Sequence, residues 1–228
     1  MNNENNNTID HDLSTLETEI HDAVAHGTNV KEAVKHLTLK AMNADRLDTE
    51  SIQRIVTAAM QGVREGANHQ LQQTKDQSEI AQKQIVEAIA GLDSALAKLA
   101  EASKLAMEEA TSQTHHFSDT ELNRVRSDLE GLESIFLDTL KDTAATTKGI
   151  AADTLHDLAQ HAQNNGTAVG EQLKETLVTL AQQMSLVGKA QLKAGINLTH
   201  ETAIFLKEIA SGIITGVEDR NKNNDNKH

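Results

Sequence analysis

Apolar residues recur at steps of three and four along almost the whole chain, the spacing that puts them on one face of an α-helix. Ile9, Leu13, Leu16, Ile20 and Val24 form a first stripe, which Thr8 or Asp10 can cap and Gly27 ends. Asn29 with Glu32 has capping-box spacing and predicts a second helix to about Asn43. Asp48 caps a third, with Ile52, Val56, Ala59 and Val63 on one face up to Gly66. From about His69 to Ser112 the seam Ser78, Ala81, Ile85, Ala88, Leu92, Ala95, Leu99, Ala102 and Ala106 follows a heptad, broadened by Ile89 and Leu96. Its alanines let a neighbouring helix come close.

Ser118 and Glu121 have capping-box spacing ahead of Leu122, Val125, Leu129, Leu132, Phe136 and Leu140. That helix is expected to run unbroken to Asn164, Asn165 and Gly166; a 45-residue helix over 119–163 would extend about 70 Å. Thr167 restarts a last helix, expected to continue to about Val217. On a helical wheel of about 100° per residue, Phe205, Leu206, Ile209, Gly212, Ile213, Gly216 and Val217 share one arc, opposite Lys207, Glu208, Ser211, Thr215 and Glu218. The arc runs back through Leu198, Met184, Leu180, Leu177, Leu173 and Val169 without drifting. That describes a long helix docked on a core, not a heptad rope that must supercoil. Gln191 and Thr202 interrupt the stripe beside Gly188 and Gly195, so its middle is weak and a bend is expected there.

The fold class that follows is all-α: an elongated bundle of long amphipathic helices over 69–218 behind a short-helix head over 8–68. The Asn-rich ends, 1–7 and 219–228, bury nothing and are expected as disordered tails. Composition strengthens this reading. The chain has no Pro, Cys, Trp or Tyr and only three Phe. Proline-free sequence favours long uninterrupted helices, and strands select the β-branched and aromatic residues that are scarce here. A span of membrane needs about 20 mostly apolar residues, whereas the stretch 203–217 is interrupted by Lys207 and Glu208.

Three glycine pairs four apart, Gly62 with Gly66, Gly166 with Gly170 and Gly212 with Gly216, raise a choice between close packing in a helical bundle and a dimer or lipid contact. Gly62, Gly66, Leu129, Phe136, Leu173, Leu177, Leu180, Phe205, Ile209, Gly212, Ile213 and Gly216 are therefore the candidate packing and interaction residues.

Chemistry is sparsely indicated. Without cysteine, disulfides, thiolate zinc sites and thiol catalysis are excluded. Of the eleven histidines, His21 and His26, like His156 and His161, stand five apart, which turns them about 140° from each other on a helix. His115 and His116 adjoin each other in an expected loop. Carboxylates near histidines, as in Glu17 with His21, read as ordinary surface pairs. Neither a nucleophile elbow nor a phosphate loop is present, so no enzyme, no cofactor and no metal are expected. A net charge of −13 disfavours nucleic acid. The start, without a basic or apolar run, reads as no secretory signal, and the cytoplasm is expected.

At "LTLKAMNADRLDTESIQRIVTAAMQGVREGA", "NNGTAVGEQLKETL" and "IASGIITGVEDR" the chain resembles an uncharacterised bacterial family of all-helical proteins, over most of 30–220. The resemblance carries no catalytic or ligand residues. Composition and long Ala-rich helices from about 80 to 218 give a looser likeness to phasins, which coat polyester storage granules. The expected function is that of a non-enzymatic scaffold or self-associating bundle, partnered by itself or another helical protein. The alternatives are a coat on a hydrophobic granule or lipid surface, and a helical metal enzyme, which the histidine spacing disfavours.

Overall fold

The computed structural model describes residues 2–44, 48–73, 78–112 and 119–191, and every element among them is helical. These are α1 (Asn2–His26), α2 (Val30–Ala44), α3 (Thr49–Gln73), α4 (Ser78–Ser112), α5 (Asp119–Thr146), α6 (Ile150–Asn165) and α7 (Ala168–Gln191). The fold is all-α. Among the described residues two compact units form, one within 1–96 and 132–168 and one within 97–131 and 169–228. The three N-terminal helices, read from the sequence as a head over 8–68, thus share their unit with the first half of α4, the end of α5 and α6.

Within the first unit, α1 buries Leu16, Ile20, Val24 and Ala25, and α3 buries Ile52, Ile55, Val56, Ala59, Met60, Val63 and Ala67. α1 packs on both α2 and α3, and α3 also meets α6. Burying each Ile, Leu or Val is worth about 1.5–3 kcal/mol, so these stripes dominate the adhesion. Asp48 caps α3 as its sequence position implies, its Oδ1 accepting from the Ser51 amide at 2.9 Å. α4 docks through Gly91, where a Cβ would stand 2.4 Å from the Lys31 carbonyl oxygen on α2. The N-terminus of α7 is held from a distance in sequence: the Ala168 amide donates to Asp93 Oδ2 at 2.8 Å.

The second unit packs the later part of α4, with Leu99, Ala102, Ala106 and Met107 buried, the start of α5, with Leu122 and Leu129 buried, and α7, with Val169, Leu173 and Leu180 buried. Thr176, itself buried, shares its one hydroxyl hydrogen between the backbone carbonyl oxygens of Ala100, at 3.1 Å, and Gln172, at 3.0 Å, so a polar side chain seals α7 on α4. Lys104 and Glu175 pair at 3.3 Å across the same contact.

Four boundaries differ from the sequence expectation. α1 begins at Asn2, so the backbone of 2–7 is helical ahead of Thr8; once a helix is nucleated and docked, each added residue brings its own hydrogen bond. α3 passes Gly66 and ends at Gln73, because Gly66 serves the side of the helix and not its end. α4 accordingly starts at Ser78, not near His69. The 45-residue helix over 119–163 does not form: α5 stops at Thr146 and α6 starts at Ile150. The break is chemical. Thr143, Thr146 and Thr147 turn their hydroxyls back onto the carbonyls of Thr139, Asp142 and Thr143, and Gly149 adopts φ 64°, ψ −150°, a conformation essentially reserved for glycine. Gly166, at φ 84° and ψ 176°, makes the second such corner, between α6 and α7.

Candidate functional site

Where α3 crosses α1, two glycines one turn apart bring the helices into backbone contact. A Cβ added at Gly62 would stand 2.5 Å from the Glu17 carbonyl oxygen and 3.0 Å from Ile20 Cβ; one at Gly66 would stand 2.6 Å from the His21 carbonyl oxygen and 2.8 Å from Val24 Cβ. The contacts climb both helices in the same direction, so α1 and α3 run parallel. Glycine is needed because backbone oxygen of α1 occupies the space a side chain would take. The pair is a packing device inside one chain, whereas Gly166 lies in the turn ahead of α7 and Gly170 within α7, so those two do not share a helix.

This approach gathers polar side chains on its flank. The Glu17 carboxyl is held above the usual carboxylate range, chiefly by desolvation and then by the charge of Glu65, against the opposing pull of Arg64 and with a hydrogen bond to Glu65 that favours the protonated form. Glu65 accepts from Gln61 at 2.8 Å and lies 3.6 Å from Arg64. One turn further along, the His69 ring of α3 sits between two rings of α1, 5.5 Å from His21 and 5.4 Å from His26 between centroids. His21 Nδ1 is 3.0 Å from Asp22 Oδ1. His69 Nδ1 is buried and has no hydrogen-bond partner. As the side chains stand, no group of three or more His, Asp or Glu among the described residues is disposed to hold a metal ion.

The remaining candidates fall into three groups. Leu129, Leu173 and Leu180 are buried in the second unit and Phe136 in the first. Leu177 is half-buried, at the rim of the α7 stripe. Phe205, Ile209, Gly212, Ile213 and Gly216 lie outside the described residues. Gly91 and the His69 cluster escaped the sequence reading. Gly91 stands alone, with no glycine four residues away. The histidine cluster had a signal, however: "ETEIH" at 17–21 and "EGANH" at 65–69 repeat Glu-x-x-x-His on two helices, and the parallel crossing sets the two copies side by side.

Among the described residues no helix is long and apolar enough to cross a membrane. A family model described as a family of unknown function (DUF6781) matches residues 6–222. No curated protein and no solved structure matches the chain.

Proposed function

The chain belongs to that family of unknown function, and we propose that it acts without chemistry of its own, as a helical scaffold of the bacterial cytoplasm that associates through amphipathic helix surfaces. The observation that supports this is the use made of the α7 stripe. Val169, Leu173 and Leu180 are buried, and Thr176 is hydrogen-bonded to α4, so this arc is a face for packing helix on helix. The sequence carries the same arc onward through Phe205, Ile209, Gly212, Ile213 and Gly216. Such a face suits another amphipathic helix, from a second copy or from a helical partner, and the small residues on it favour close approach.

Light scattering on the full chain and on a chain ending after Gln191 tests this reading. The full chain is expected to self-associate, or to capture a helical partner, and the shortened one to lose association while keeping its helix content. Equal association of both would refute the assignment. Leu129→Asp serves as the internal control: it places an unpaired charge in the second unit and is expected to unfold the monomer. A folded Leu129→Asp chain that merely loses self-association would show the Leu129 stripe to be intermolecular. The competing reading, a coat on a granule or lipid surface, predicts that the protein floats with anionic vesicles or apolar droplets at physiological salt. Remaining in the aqueous layer is the outcome expected of the scaffold.

A further inference from the structure

His21 and His26 diverge on α1, but α3 supplies the imidazole that joins them. His69 reaches both rings at nearly equal separation, 5.5 and 5.4 Å. Two imidazoles sharing one tetrahedral ion, at metal–nitrogen bonds of about 2.0–2.1 Å, hold their ring centres about 5 Å apart. The observed separations are close to that value. The nitrogens do not converge as the rings stand, yet the Cβ–Cγ axis runs through each ring, so rotation about χ2 re-aims the nitrogens while leaving the centre in place. For histidine that torsion is broad and soft.

Each ring is also prepared for ligation in a different way. With Asp22 Oδ1 at His21 Nδ1, the carboxylate fixes the tautomer that leaves Nε2 free as a ligand, the carboxylate–histidine arrangement common behind bound metals. The buried Nδ1 of His69 has no partner, a desolvation cost that ligation would remove. His26 is exposed at the end of α1, and the His21 side chain retains 27% exposure, so an ion has access from solvent. One turn away, Glu17 and Glu65 crowd two carboxyl groups together, and a dication nearby would relieve their repulsion.

We propose that His69 is the central ligand of a binding site for a transition-metal dication of borderline softness, of the Zn²⁺, Co²⁺ or Ni²⁺ type, with His21 as second ligand and His26 as third after rotation of its ring. Neutral imidazole suits these ions. Bound there, the ion ties α1 to α3 beside the Gly62 and Gly66 contact and adds a clamp where the helices already touch.

The test uses the untagged full chain, stripped with a chelator and titrated separately with Zn²⁺ and Co²⁺. Retained metal after gel filtration, the Co²⁺ visible spectrum and the thermal midpoint are the readouts. One ion per chain is expected, together with a raised midpoint. Both effects should weaken by about tenfold or more in affinity in His69→Ala and in His69→Gln, which preserves bulk and polarity. His156→Ala, on an exposed position of α6, should behave as the parent does. No retained ion in the parent chain, or retention unchanged in both His69 variants, would overturn the site.

Discussion

Glycine does two opposite jobs in the first unit. At the α1–α3 crossing Gly62 and Gly66 have ordinary helical backbone and no room: a Cβ would run into backbone oxygen at 2.5 and 2.6 Å. At the corners Gly149 and Gly166 have nothing within 4 Å of a Cβ, but backbone at φ 64° and 84° that other residues rarely adopt. Space limits the first pair and torsion limits the second. The distinction decides how each position responds to a side chain: at the crossing the penalty grows with side-chain size, whereas at a corner the first carbon carries nearly all of it.

The largest effect expected is that of Gly66→Leu, which must separate α1 from α3. Overpacking of this kind costs about 1–3 kcal/mol for small insertions and more for a whole isobutyl group. Urea unfolding should show loss of most of the unit's stability, and a variant within experimental error of the parent would end the packing explanation. Gly149→Ala and Gly149→Leu come next. Each should lose about 1–3 kcal/mol through backbone strain, and the two should agree closely, since open space surrounds the site. A clear dependence on side-chain size there would erase the contrast between the two regions.

Thr147→Val probes what else shapes the corner. It removes the hydroxyl that donates to the Thr143 carbonyl and should cost about 0.5–1.5 kcal/mol in the same unfolding assay. Glu17→Gln gives the smallest change and the one with a pH signature. A carboxyl raised above its ordinary range binds protons more readily folded than unfolded, so its contribution to stability falls as pH rises from that ordinary range through the raised folded value. The variant should therefore be slightly more stable than the parent at neutral pH, with the difference disappearing below the ordinary carboxylate range. A gain that persisted unchanged in acid would place its origin outside the desolvation of the Glu17 carboxylate and its crowding with Glu65.

Local signals were legible where the chain's own chemistry decides the outcome. The starts of α2 and α3 follow from Asn29 and Asp48, the α6–α7 corner from Asn165 and Gly166, and the α4 seam from Ala81 to Ala106 is buried at every position. Tertiary contact decided the rest. Gly66 has the sequence look of a stop and, paired with Gly62, of a packing position; the His21 carbonyl beside it decides for packing. The α5–α6 break rests on three threonines and one glycine torsion, without a proline or asparagine to announce it. His69 joins His21 across 48 positions of sequence, which spacing rules within one helix cannot reach. Leu129, Phe136, Leu173 and Leu180 were legible as buried stripe residues because helical periodicity alone selects them.

The most direct test of the central claim is the sign of one substitution, Gly66→Ala, read as the urea unfolding midpoint. Helix propensity alone favours alanine over glycine by about 1 kcal/mol and predicts a rise. Close backbone packing at 2.6 Å from the His21 oxygen and 2.8 Å from Val24 Cβ predicts a fall. A lowered midpoint with unchanged helix content in the native state is the result expected; a raised midpoint would mean that α1 and α3 do not depend on glycine to meet.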